Sequence, residues 1–253
     1  MLIEGRTILY SYCLMESTKV KKVAVVIPTY NEAGNIVSLI TALLKIGDFI
    51  EVVVVDDNSL DQTADHVSRN FTNNHKVSVI KRPEKSGRGS AVIDGMRFIA
   101  NNGTYDTIVE MDGDFSHDPS VLPALLEKAE HYDVVIGSRY LENSKIINWP
   151  IRRRIVSKMA NCYARAVFKV PINDCSGGFR CYSRRATHCL INNKFITKGH
   201  ATLLEIAYML YKKGLTFCEV PIVFRNRQKG YSKLNSGEFF EAMKNIFKIR
   251  ASY

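Results

Sequence analysis

The sequence predicts an α/β domain in which a mostly parallel sheet lies between two layers of helices. Three observations carry this. Residues 23–27 (VAVVI) and 51–55 (EVVVV) are apolar almost throughout, so both faces of each strand must be covered, as in a parallel sheet. Strand-like and helix-like stretches then alternate over short connections, the pattern of right-handed crossovers. Polar clusters at 28–32, 56–57, 87–89 and 112–114 all fall beyond strand-like runs, where ligands collect in sheets of this kind.

Pro28 ends the first run, and residues 29–32 (TYNE) turn into a helix over 35–45. Ile36, Leu39, Ile40, Leu43 and Leu44 share one face of it. The second strand, 51–55, runs into Asp56-Asp57; residues 58–61 turn, and 62–70 are helical. Residues 77–80 are the third strand, and Gly87-Arg88-Gly89-Ser90-Ala91 opens a helix reaching about residue 101. Residues 105–110 are the fourth strand, 120–131 a helix and 133–137 a fifth strand. A helix starts at Arg152-Arg153-Arg154 and reaches about residue 168, and 174–180 (DCSGGFR) turns on two adjacent glycines. Residues 203–213 are helical, and 217–224 are β-rich, with Pro221 marking an edge strand. A basic loop, 225–233, precedes an amphipathic helix over 238–250 with Phe239, Phe240, Met243, Ile246 and Phe247 on one face. Residues 1–22 read as a poorly ordered tail and 23–237 as one domain. Residues 238–253 either pack on that domain or lie in a membrane interface.

A chain of 253 residues with 46% hydrophobic content can bury a substantial core. Its net charge of +10 suits an anionic partner: nucleic acid, acidic lipid or a phosphorylated substrate. No nucleic-acid-binding motif favours the first. The six cysteines form no C-x-x-C pair, which argues against zinc and for reduced thiols. No run of eighteen apolar residues predicts a transmembrane helix.

Asp112 and Asp114 stand one residue apart where a strand runs out. That spacing lets both carboxylates reach one hard cation such as Mg²⁺ or Mn²⁺, which would share itself with substrate phosphates. A D-x-D at an Asx-rich turn before Pro119 also has a purely structural reading. Gly87 and Gly89 allow close backbone approach at a helix start, but the spacing is not that of a P-loop. Lys85 and Arg88 either add charge there or are solvated surface residues. The first strand leads into TYNE, not G-x-G-x-x-G, which argues against a NAD-dependent oxidoreductase.

Eight stretches occur in an order that resembles a known family: 28–32 (PTYNE), 55–59 (VDDNS), 87–91 (GRGSA), 111–119 (MDGDFSHDP), 137–140 (GSRY), 149–158 (WPIRRRIVSK), 174–180 (DCSGGFR) and 227–234 (RQKGYSKL). The chain is similar to family 2 glycosyltransferases with the GT-A fold. Within them it resembles the polyprenol-phosphate (dolichyl-phosphate) mannose synthases, in their short form without transmembrane helices. Departures are Gly113 for the usual Ala, Ser116 where some relatives have Gln, and Gly177 for Ser.

The resemblance implies a GT-A, Rossmann-like three-layer fold. It places Pro28, Tyr30, Glu32, Val55, Asp57, Asp112, Gly113, Asp114, Arg227 and Lys233 against the nucleotide sugar. It places Arg139, Arg153 and Ser157 on the acceptor phosphate, and Asp112, Asp114 and Ser116 on Mg²⁺ or Mn²⁺. Asp114, Arg139 and Arg153 are the implied catalytic set, and Asp56 reads as a turn carboxylate. The implied reaction moves mannose from GDP-mannose to dolichyl or polyprenyl phosphate with inversion. An anionic nucleophile needs cations to position it and no general base. UDP-glucose as donor, a hydroxyl acceptor and a non-catalytic membrane adaptor are the alternatives. The implied setting is the cytosolic face of a membrane (endoplasmic reticulum in a eukaryote, plasma membrane otherwise), with a small anchor subunit as one route to it, and without nucleic acid.

Overall fold

The computed structural model describes residues 22–199, 201–226 and 236–253. Strands β1 (Val23–Thr29), β2 (Ile50–Asp56), β3 (Val77–Lys81) and β4 (Thr107–Glu110) are parallel. Helices α1 (Ile36–Leu44), α2 (Thr63–Asn70) and α3 (Arg88–Asn102) connect them. In register, Thr29 lies opposite Asp56 and Asp56 opposite Lys81, while Val26 lies opposite Glu110. The carboxyl ends of these strands therefore meet at one edge, as the sequence predicts.

Side chains alternate across the sheet with the two-residue period of a strand. Val23, Val25 and Ile27 share a core with Ile36, Leu39, Ile40 and Leu43 of α1, together with Val67 of α2. Ala24 and Val26 share the opposite core with Val92, Met96 and Ile99 of α3. Burying each Val or Ile contributes about 1.5–3 kcal/mol, and β1 supplies such residues to both cores.

The second half holds a 3₁₀ turn (Pro119–Val121), α4 (Leu122–Lys128), β5 (Val134–Ser138), β6 (Lys145–Ile147), α5 (Ile151–Phe168) and β7 (Arg180–Ser183). It continues with α6 (Arg184–Ile191), α7 (Ala201–Lys212), β8 (Phe217–Pro221), β9 (Val223–Arg225) and α8 (Ser236–Ser252). The main sheet has the order β3-β2-β1-β4-β7-β5-β8, and β6 pairs with β9 alongside. Pro221 lies in an edge strand as expected.

Four elements differ from expectation. Strand β7 runs antiparallel between β4 and β5, where the sequence predicts only the end of a turn. Its first residue, Arg180, is fully buried and donates to the carbonyls of Gly177, Leu203 and Cys175 at 2.7, 3.1 and 2.7 Å. Strand β6 and helix α6 are likewise unforeseen. The helix expected over 120–131 is shorter, because Asp118 accepts from the Ser120 N–H (2.9 Å) and closes a separate 3₁₀ turn first.

Ile246 and Ile249 of α8 are buried in the core shared with α5 and α7. The final residue, Tyr253, donates to Glu205 at 2.8 Å. Phe247 is exposed. The tail expected over 1–22 lies, except for Lys22, outside the described residues, and so do Arg227, Lys233 and most of the basic loop. The side chains of Phe239, Phe240 and Met243 also lie outside those described. No described helix is long and apolar enough to cross a membrane.

Candidate active site

The ends of β1 and β2 are tied together by their own side chains. Asp56 accepts from Thr29 Oγ1 and from the Ser59 N–H, both at 3.0 Å, so it holds the turn. Asp57 accepts from the N–H groups of Ser86 and Gly87 at 2.9 and 2.8 Å, and Arg82 pairs with it at 3.0 Å. It thereby clamps the loop before α3 onto β2. Lys85 crosses that loop to sit 3.4 Å from the centre of the Tyr30 ring. The Glu32 N–H donates to Thr63 Oγ1 at 2.9 Å, and its carboxylate accepts from Asn35. Pro28 is half-buried beside this edge, whereas the Val55 side chain is part of the core. Any ligand contact by Val55 must therefore use its backbone.

Asp112 and Asp114 follow β4. Asp114 is buried and accepts from the Ser116 N–H at 3.0 Å; Asp112 is partly open, with its side chain 30% exposed. Ser116 is buried, and its carbonyl accepts from the Arg225 N–H. Gly113 packs against Thr29 and Ile27, so the ends of β1 and β4 touch. His117 accepts through Nδ1 from the Asp112 N–H (3.2 Å), which leaves the proton on Nε2. Its ring stacks on Phe179 and meets the edge of Phe224. Burial, aided by the charges of Arg88 and Arg139, pushes the imidazole below its ordinary value against the pull of Asp112 and Asp114.

Arg88 is not a solvated surface residue. Its side chain is 14% exposed and donates through Nε to Asp112 at 2.8 Å and through Nη2 to the Gly178 carbonyl at 3.2 Å. Nη1 binds the buried Glu110, which also accepts from Tyr182 at 2.8 Å.

A second cationic group lies across the site. Arg139 forks onto Asp174 through Nε and Nη2 at 2.7 and 2.8 Å and donates to Ser176. Burial would raise the Asp174 carboxyl, but the Arg139 charge and hydrogen bonds hold it below its ordinary range. Arg153 lies 4.0 Å over the Trp149 ring and donates to Asn226. Ser157 accepts from Tyr140 Oη at 2.6 Å. Beside them opens a groove of about 570 Å³, lined by Arg139, Lys145, Arg154 and Lys158 together with Ile146, Ile147, Ile151 and Ile155.

The structure thus brings Asp112, Gly113, Asp114 and Ser116 to the sheet edge that also holds Pro28, Tyr30, Glu32 and Asp57. It sets Arg139, Arg153 and Ser157 along α5 and β5. Sequence reasoning assigns no role to Glu110, His117, Trp149 or the Asp174 carboxylate. His117 stands within the D-x-D stretch, but nothing local reveals that it is buried against Phe179.

No described group of three or more His, Cys, Asp or Glu residues forms a closed metal site. Two carboxylates, one buried and one open, instead make a partial donor set. That set fits an Mg²⁺ or Mn²⁺ ion which completes its oxygen shell with water and phosphate.

The sheet order and the paired carboxylates at its edge define an α/β fold of GT-A type. The chain belongs to glycosyl transferase family 2, whose profile matches residues 24–191. It is 36% identical over 228 residues to the undecaprenyl-phosphate mannosyltransferase of Micrococcus luteus, covering 89% of this chain and 92% of that protein. It is 34% identical to the polyprenol monophosphomannose synthase of Mycolicibacterium smegmatis, over 90% of this chain and 86% of that protein. It is 35% identical to the dolichol-phosphate mannosyltransferase of Pyrococcus furiosus, over 90% of this chain but 63% of that longer protein. The fold is similar to glucosyl-3-phosphoglycerate synthase from Mycobacterium tuberculosis in complex with Mn²⁺, UDP-glucose and phosphoglyceric acid. There the TM-score is 0.67 at 17% identity, covering 91% of this chain and 80% of that one.

Proposed function

We propose that the protein transfers mannose from GDP-mannose to the phosphate of a polyprenol or dolichol, with inversion at the anomeric carbon. The observation that carries this reading is the groove at Arg139. It combines four cations with four isoleucines, the lining an acceptor with an anionic head and an isoprenoid tail requires. A neutral, water-soluble hydroxyl acceptor needs neither. Similarity to three proteins named as lipid-phosphate mannose enzymes supports the same acceptor and sugar.

The sheet edge at Pro28, Tyr30, Glu32 and Asp57 takes the nucleoside. Asp112 and Asp114, with Ser116 beside them, would hold Mg²⁺ or Mn²⁺, whose charge stabilises the departing diphosphate. Arg139, locked by Asp174, and Arg153, stacked on Trp149, hold the acceptor phosphate where it faces the sugar. The resemblance assigns Arg227 and Lys233, outside the described residues, to the donor as well. The attacking oxygen is already anionic, so the chain supplies position and charge, not a base. The decisive experiment offers polyprenyl phosphate with labelled GDP-mannose or UDP-glucose in the presence of Mg²⁺ or Mn²⁺. Organic-phase product from GDP-mannose is expected; preference for UDP-glucose would overturn the donor, and no transfer to the lipid would overturn the acceptor. Arg153→Ala should raise the acceptor KM by roughly ten- to a hundredfold, as loss of a charge-assisted bond worth about 1.5–3 kcal/mol implies. Donor KM should barely move, and a collapse of donor affinity alone would reverse the assignment.

The acceptor's tail lies in a bilayer, so the protein must reach one. An amphipathic surface for this lies on α5. Ile151, Ile155 and Met159 recur at four-residue spacing and are 71, 53 and 57% exposed, which sets them on one face. Arg152, Arg154 and Lys158 stand exposed among them. An apolar stripe flanked by cations fits the interface of an anionic bilayer. Ile155→Glu with Met159→Glu should lower sedimentation with anionic vesicles without lowering Tm, because neither side chain is core. Wild-type vesicle binding in this double variant would move the contact to α8 or to an anchor subunit.

A further inference from the structure

Arg88 does more than add charge near a diphosphate. Its guanidinium is anchored from behind by Glu110, which is 1% exposed and also held by Tyr182. Its Nε and Nη2 both lie 2.8 Å from one oxygen of Asp112, the partly open member of the carboxylate pair. The backbone is shaped to admit it: a Cβ on Gly178 would collide with Nη2 of Arg88. A fixed cation thus occupies an oxygen of the D-x-D in the free protein. A divalent ion approaching Asp112 alone meets that charge. An ion arriving with a nucleoside diphosphate meets it together with phosphate oxygens that offset it.

We propose that Arg88 is a positioning residue that makes metal binding depend on the nucleotide diphosphate, by holding Asp112 until the two arrive together. This rests on the metal reading of Asp112 and Asp114. By linkage, Mn²⁺ and the nucleotide then strengthen each other's binding by the same factor, and Arg88 is the chain's source of that coupling.

The test measures Mn²⁺ affinity by the electron paramagnetic resonance of free Mn²⁺, with and without GDP, and with UDP in parallel. Arg88→Met alone would strand Glu110, so the principal variant is Arg88→Met with Glu110→Gln, which leaves the net charge of the site unchanged. Gly178→Ala is the second variant; it keeps Arg88 and pushes its guanidinium off Asp112. Wild type should bind Mn²⁺ at least about tenfold tighter with nucleotide than without. Both variants should bind Mn²⁺ alone several-fold tighter than wild type, and the gain from nucleotide should shrink by the same factor. A merely structural Arg88 would lower Tm and leave that ratio untouched. Folded variants with wild-type Mn²⁺ affinity and an undiminished nucleotide gain would overturn the inference while leaving the metal reading intact. Failure of wild type to bind Mn²⁺ even with nucleotide would overturn both.

Discussion

Asp114→Ala should lower transfer by on the order of 10³-fold, the scale at which loss of one preorganised charge-stabilising group is felt in a transition state. Asp114 is buried two residues from the partly open Asp112, so its negative charge is little screened by solvent. It accepts from the Ser116 N–H at 3.0 Å. Losing that bond costs about 1 kcal/mol, a fall in Tm of roughly 2–4 °C for a chain of this size. Activity and stability therefore separate: a near-complete loss of turnover in a protein that still melts cooperatively. Chelation of divalent ions should silence the wild type, with Mn²⁺ or Mg²⁺ restoring it, and neither treatment should move the residual activity of the variant. Turnover within tenfold of wild type, or activity indifferent to chelator, would remove Asp114 from the metal site.

Much of this arrangement is legible in the chain because it is local. β1 and β2 are apolar runs that can be nothing but doubly covered strands, and their polar ends follow directly. Asp112 and Asp114 are adjacent enough for their spacing to carry the chemistry. What is not legible rests on distant partners. Arg88 looks like a surface residue until it meets Gly178, ninety positions away. Asp174 looks like a turn residue until Arg139, 35 positions earlier, forks onto it. Strand β7 has four residues, starts with a buried arginine and follows two glycines. Its pairing with β4 and β5, not its composition, makes it a strand. The apolar face of α5 is partly hidden in sequence for a different reason: the triple arginine dominates the stretch, and only burial shows that Ile151, Ile155 and Met159 have no core to enter.

Arg139→Ala should cost about 3–5 kcal/mol of stability, the usual effect of removing one partner from a buried ion pair, or roughly 6–20 °C in Tm. Asp174 is fully buried, and the fork from Arg139 is its cationic counterpart at hydrogen-bond distance. The pair's contribution has a defined pH window. Burial would raise the Asp174 carboxyl, Arg139 lowers it further, and the folded value ends below the ordinary one. The stabilisation is therefore fully present above the unfolded carboxylate range and is lost as pH falls through the depressed folded value. The Tm gap between wild type and variant should be wide at pH 7 and close under strong acid. Stability alone would not show that Arg139 serves the acceptor, so the companion variant is Arg139→Ala with Asp174→Ala. Removing both charges should recover much of the lost stability, since no unpaired carboxylate remains. Lipid-phosphate transfer should stay depressed by roughly ten- to a hundredfold, because a charge-assisted contact worth about 1.5–3 kcal/mol to the acceptor is still missing. Recovery of turnover together with stability would show that Arg139 merely supports the Asp174 loop, and would leave Arg153 and the cations of the groove to hold the phosphate without it.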